Sequence, residues 1–297
     1  MMVRQGRTAA GPILLALILL LLPGIAAPPL SAHAQSVVRR TPNIEGIWST
    51  QPGRLHFHFL HRFAITDPPF SKVLNSPTFL LAGGLPAAVV LGARYASNSV
   101  LIAGEPNEWE LFGRWAPVLQ DAGGPLDLSV QAGRNLTAES VDGEVLVGRR
   151  FGPLGVLLSG RAFSAFAGED ARTAIGAGAY LRLHRWIALA GDVAQITSGD
   201  FDAAWSAGIQ LEIPYTPHSL SLHMSNANTT TLQGSSVAVG DRRWGFEFTV
   251  PLTVSRWFGD DAAATTPTTP TPASGAPVVV EMDNRLRFLP DTVRIQA

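Results

Sequence analysis

Apolar and polar residues alternate with a period of two along most of the chain from residue 54 onward. Ala203 to Ile213 has apolar odd positions and small or polar even ones, and Trp244, Phe246, Phe248, Val250, Leu252 and Val254 share a face opposite Gly245, Glu247, Thr249 and Ser255. Leu126, Leu128, Val130 and Ala132 alternate with Asp127, Ser129 and Gln131 in the same way. A period of two is the signature of strands with two unlike faces. It predicts strands at 54–64, 86–96, 99–105, 108–120, 125–136, 143–151, 155–167, 172–185, 187–197, 202–215, 218–228 and 242–257, about twelve in all. Turns are expected at Ser97-Asn98, Asp121-Ala122-Gly123-Gly124 and Ser198-Gly199-Asp200.

The two faces decide between all-β architectures. A soluble sandwich carries charges on its outer face, whereas here one face is greasy and the other holds Gly, Ala, Ser and Thr. That pattern suits a transmembrane barrel with a polar interior, which lipid requires to be closed. Trp109, Trp115, Tyr180, Trp186, Trp205, Tyr215, Trp244 and Trp257 fall near strand ends, where rings at headgroup level form girdles. The expected fold is therefore all-β, an antiparallel transmembrane barrel of about 12 strands over residues 50–258, following an N-terminal periplasmic segment at 35–49.

Composition narrows this further. Only 15% of residues are charged while 46% are hydrophobic, the formal net charge is -1, and cysteine is absent; mean hydropathy is +0.18. Near-zero charge gives no footprint for nucleic acid, and the missing thiols exclude disulfides, thiolate metal sites and cysteine nucleophiles. Arg4 and Arg7 precede an apolar run at 13–22, then Pro23 and Ala32-His33-Ala34, the order of parts in a secretory signal occupying 1–34. The run is short of the roughly 20 residues of a spanning helix. Export plus a barrel implies the bacterial outer membrane with both termini periplasmic, and outer-membrane lipids and the barrel-assembly machinery as partners.

Candidate chemistry is sparse. His56 and His58 stand at i and i+2 on one face, half of a metal site, with His61 on the apolar face. Glu110, Arg114, Asp127, Gln131, Asp192, Glu212 and Glu247 fall on the inward phase, where charges must pair or stay hydrated. Ser219, Ser221 and His223 share a face with no acid beside them, so no catalytic triad is written locally. The expectation is a narrow pore or membrane anchor without catalytic or cofactor-binding residues; an outer-membrane enzyme is the alternative class.

Leu55-His56-Phe57-His58-Phe59-Leu60-His61-Arg62-Phe63 resembles the opening strand of a family of uncharacterised bacterial β-barrel proteins, and Leu91 to Ala96 followed by Ser99 to Ala103 is similar to that family's next hairpin. Further on, residues 259–277 form a Thr/Pro/Ala-rich linker able to span on the order of 50 Å. Val278 to Met282, Leu286 to Pro290 and Val293 to Ile295 then resemble the first strands of a cupredoxin, so that 278–297 reads as a truncated cupredoxin-like fragment. That resemblance implies copper and periplasmic redox partners only for a chain that continues, since the ligands belong to later strands and a blue-copper site needs a thiolate.

Overall fold

The computed structural model describes residues 37–50, 52–66, 68–240 and 242–253, and the short strands 281–282 and 288–289. Twelve strands close into one antiparallel barrel: β1 (Arg54–Ile65), β2 (Val73–Leu85), β3 (Val89–Ala96), β4 (Glu108–Val118), β5 (Asp127–Asn135), β6 (Ser140–Phe151), β7 (Leu154–Phe163), β8 (Arg172–His184), β9 (Ile187–Ile196), β10 (Ala204–Glu212), β11 (Ser219–Ser225) and β12 (Arg243–Thr253). Each pairs with its sequence neighbours, and β12 closes on β1. Closure leaves no unpaired edge, the condition for strands in lipid. The longest connections, 97–107 and 226–242, lie at one end; the other has the tight turns 86–88, 152–153 and 185–186 and both ends of the barrel chain.

Outward positions are apolar and exposed, for example Leu81, Leu91, Leu111, Val145, Leu158, Ile175, Leu189 and Leu222. Rings gather at the rims. Tyr95, Trp109, Trp205 and Trp244 are at the long-loop end, with Tyr95 and Trp109 centroids 4.7 Å apart. Trp115, Trp186 and Tyr215 are at the other. Tyr180 departs from the expected girdle because it points inward, 6% exposed. Its ring fills the space left by Gly155, where a Cβ would come within 2.1 Å of the ring. Trp257 lies outside the described residues.

The strand count of twelve conceals two compensating differences. The expected strand 99–105 is a loop: Ser99 donates to Glu108, and the backbone N–H of Val100 donates to Asn228 Oδ1 at 3.0 Å. Leu101 packs toward Phe163 and Phe166, so the apolar residues of this stretch roof the barrel mouth instead of facing lipid. Consequently β3 makes its hairpin with β4, not with 99–103. The strand missing from the pattern is β2, whose Asn75, Pro77, Gly83 and Gly84 break the alternation. Pro77 is tolerated because it sits opposite His61 just outside the ladder with β3, which starts at Thr78.

Residues 37–50 also depart from expectation. They are not a periplasmic segment outside the barrel but lie almost wholly buried within it. Ile44 and Ile47 pack with Ala88, Ala116, Leu146 and Leu157; Trp48 packs with Leu80, Ala82, Val90 and Phe112. The apolar residues that alternation could not assign to a strand thus fill the tapering interior.

The second unit begins at Thr253. Within it β13 (Glu281–Met282) and β14 (Phe288–Leu289) form one antiparallel pair. The signal at 1–34 and the linker at 259–277 lie outside the described residues, as does most of the cupredoxin-like stretch.

Candidate functional site

The site is the barrel lumen. Every inward position on one strand faces another across a narrow interior, so any charge placed there is removed from water and needs a partner. Among the described strands the lumen holds five buried arginines, Arg62, Arg94, Arg114, Arg161 and Arg243, and six buried carboxylates, Glu108, Glu110, Asp142, Glu144, Asp192 and Glu247.

Two inserted segments complete their pairing. From the short-turn end comes residues 37–50. Glu45 accepts two hydrogen bonds from Arg94, Nε at 3.3 Å and Nη2 at 2.5 Å, a fork-on-carboxylate geometry, and Arg114 Nη2 approaches at 3.4 Å. Arg94 also pairs with Glu110. Gln131 accepts from Arg114 at 2.6 Å and donates to Glu110 at 3.2 Å. On the opposite wall Arg40 pairs with Glu247, which also takes His58 Nδ1 at 3.2 Å. The backbone N–H groups of Asn43 and Ile44 both donate to Asp192 Oδ2, at 2.9 and 3.2 Å. Trp48 lies under the Arg114 guanidinium, 5.1 Å from ring centroid to carbon.

From the long-loop end comes the β11–β12 connection, of which Asn226 to Ser236 is buried. Arg62 donates to the carbonyls of Ala227 and Thr229, at 3.0 and 3.1 Å. Thr229 and Thr231 hydroxyls donate to Glu108, and the Leu232 N–H donates to Glu110 Oε2 at 2.7 Å. Gln233 donates to both oxygens of Asp142. Arg161 donates to the Ser235 and Ser236 hydroxyls at 3.0 and 2.8 Å and to Glu144 at 2.8 Å. The two segments meet at Arg62, whose Nη2 donates to Asn43 Oδ1 at 2.6 Å.

The residues singled out from sequence fall as follows. Glu110, Arg114, Gln131, Asp192 and Glu247 are buried in the lumen. Asp127 and Glu212 are half-buried at the short-turn rim, where Asp127 accepts from the Gln120 N–H and pairs with Arg150. His56 and His58 have ring centroids 6.3 Å apart, but His56 bonds Thr50 and His58 bonds Glu247, so each is committed to a protein partner. No group of three metal-binding side chains occurs among the described residues. Ser221 Oγ and His223 Nδ1 are 3.2 Å apart, yet the far nitrogen of His223 faces Arg62 Nε at 3.5 Å. A cation there cannot orient and stabilise an imidazolium as a carboxylate does. His61, on the outer wall, bonds Asn75 and stacks with Phe246.

Sequence reasoning did not single out Arg94, Glu108, Asp142, Glu144 and Arg161, although their inward phase was readable. Glu45 and the loop carried no periodic signal at all.

No protein-family model and no curated protein matches the chain. Among solved structures, the NanC porin is similar at 8% identity with a TM-score of 0.43, covering 66% of this chain and 97% of that one. The Acinetobacter baumannii outer membrane protein Omp33 is similar at 11% identity with a TM-score of 0.41, covering 68% of this chain and 100% of that one. Pseudomonas aeruginosa OccK2 (OpdF) is similar at 10% identity with a TM-score of 0.29, covering 67% of this chain and 96% of that one.

Proposed function

We propose that the protein is an outer-membrane barrel forming a narrow pore, held closed in this structure by residues 37–50 and 226–236. The apolar outer wall between aromatic rims supports the membrane placement. The short turns and both ends of the barrel chain then face the periplasm, and the long connections the exterior, the usual arrangement of such barrels.

The observation that carries the pore is the lumen's chemistry. A barrel serving only as an anchor is best filled by packed apolar side chains, because buried ion pairs barely recover their desolvation cost. This one is lined with arginines and carboxylates, several of which take part of their pairing from segments that are not part of the wall. Such a lining is compatible with water when an inserted segment withdraws.

Planar-bilayer recording tests it. The mature wild-type chain should be closed with rare openings. Glu45→Gln weakens the grip on Arg94 and Arg114 while sparing the Arg94–Glu110 pair, and should raise the open fraction several-fold. If neither protein conducts at any voltage, the pore reading fails and the barrel is an anchor. An anchor for a copper domain would further require a continuing chain that binds copper.

A further inference from the structure

A second feature lies at the short-turn end, where a cavity of about 290 Å³ opens along the seam between residues 37–50 and the wall. Val37, Arg40 and Trp48 line it from the inserted segment; Arg54, His56 and His58 from β1; and Tyr215 and His218 from the β10–β11 turn. We propose that this cavity binds a small organic anion with a flat apolar body, a carboxylate of the aromatic type.

Three observations carry the proposal. Trp48, 5% exposed, has an indole N–H with no hydrogen-bond partner, and His218 Nδ1 is likewise buried without one. Buried polar atoms are nearly always satisfied, so these two groups beside the cavity are open to a further partner. Next, the charge on the lining is uneven. Arg40 and His58 are both spent on Glu247, whereas Arg54 makes no hydrogen bond or ion pair among the described residues and offers its guanidinium to a ligand. Glu212, the lining carboxylate, stands on β10 with β11 and β12 between it and β1, which puts the ligand's charge on the Arg54 side. Last, the walls offer flat surfaces. Trp48 lies 5.9 Å from both His56 and His58, and Trp186 meets Tyr215 edge to face at 6.0 Å.

A ligand so placed touches the inserted segment and the wall together, so it binds the closed form and stabilises it. That consequence rests on the pore reading; the binding does not.

Titration of the full mature chain in detergent micelles with benzoate, followed by calorimetry and tryptophan fluorescence, tests the site. Expected are saturable binding of one benzoate per chain, at least tenfold weakening by Arg54→Ala, partial rescue by Arg54→Lys, and at least tenfold weaker binding of inorganic phosphate. Heat-modifiable gel mobility of each variant shows that the barrel is intact. Absence of saturable binding, indifference to Arg54→Ala in a closed barrel, or phosphate binding as tight as benzoate would each overturn the proposal. Benzoate should also lower the open fraction in the bilayer. Binding that persists without that effect removes the coupling to the pore and leaves the site standing.

Discussion

The two segments that fill the lumen do so by different chemistry. Residues 37–50 bring their own charges, Arg40 and Glu45, and an indole; they are joined covalently to the wall through β1. Residues 226–236 bring no charge. Their hydroxyls, amides and carbonyls satisfy wall residues Arg62, Glu108, Glu110, Asp142 and Arg161, and strands hold them at both ends. A segment joined to the wall through one strand and gripped by ion pairs can leave as a unit. A loop tethered twice gains less entropy on release. On the proposed pore reading, the N-terminal segment is expected to be the mobile closure and the loop the fixed constriction.

The largest effect should come from the wall residue that the N-terminal segment grips directly and the loop reaches through Glu110. Arg94→Ala removes the cation between Glu45 and Glu110, leaving buried Glu110 without a cation and Glu45 with only the longer Arg114 contact at 3.4 Å. Breaking a buried pair from one side costs about 3–5 kcal/mol. Urea unfolding followed by loss of heat-modifiable mobility should show that loss; a change under 1 kcal/mol would mean that the network is hydrated and the charges are not interdependent.

Next comes Trp48→Ala, which empties a site among Leu80, Ala82, Val90 and Phe112 and costs about 3–5 kcal/mol of local packing. If the comparison is right, the loss appears as faster hydrogen exchange across 41–48 and more frequent bilayer openings, with the barrel's own unfolding moved far less. Equal loss throughout would show that segment and wall unfold as one cooperative body.

How much of this was written in the sequence follows from what each part needs to say. Strands facing lipid on one side must alternate, and the wall and its closure were legible for that reason. Glu110, Arg114, Gln131, Asp192 and Glu247 could be placed by phase alone. Period-two reading failed at Asn75-Ser76-Pro77, where polar residues sit beside the His61 pair, and at 99–105, where apolar residues cover a loop. The inserted segments were illegible because each satisfies partners far away in sequence. Glu45 and Arg94, or Gln233 and Asp142, have no local pattern linking them.

A smaller perturbation sharpens the loop's side of the comparison. At Gly234 an added Cβ would lie 1.9 Å from Thr229 Oγ1 and 2.9 Å from Thr231 Oγ1, the hydroxyls that hold Glu108. Gly234→Ala should cost about 1–3 kcal/mol by overpacking. Because the loop is held at both ends, exchange should rise at 229–236 while single-channel conductance stays low. A large stable conductance in this variant would reverse the assignment of mobile and fixed segments.

The smallest expected effect tests whether the N-terminal segment's grip is ionic at its exposed end too. Arg39 meets Asp121 in the β4–β5 turn at 2.7 Å, and Arg150 reaches the other oxygen at 2.6 Å. Partial burial raises the Asp121 carboxyl, but the hydrogen bond from Arg150 and the charge of Arg39 outweigh it, so the group titrates below its ordinary 3.8. A depressed folded value means that the tie contributes above about pH 3.8 and is lost as pH falls through the lower folded value. The Asp121 side chain is 46% exposed, so solvent screening holds the contribution to a few tenths of a kcal/mol. Wild type and Asp121→Asn should therefore differ slightly in amide exchange near Arg40 at pH 6 and converge as pH falls through the lowered folded value, with the pH 6 difference shrinking in high salt. A difference that survives below that value would show that Asp121 holds the segment by shape, and the contrast between an ionic N-terminal closure and a neutral loop would then be confined to the buried lumen.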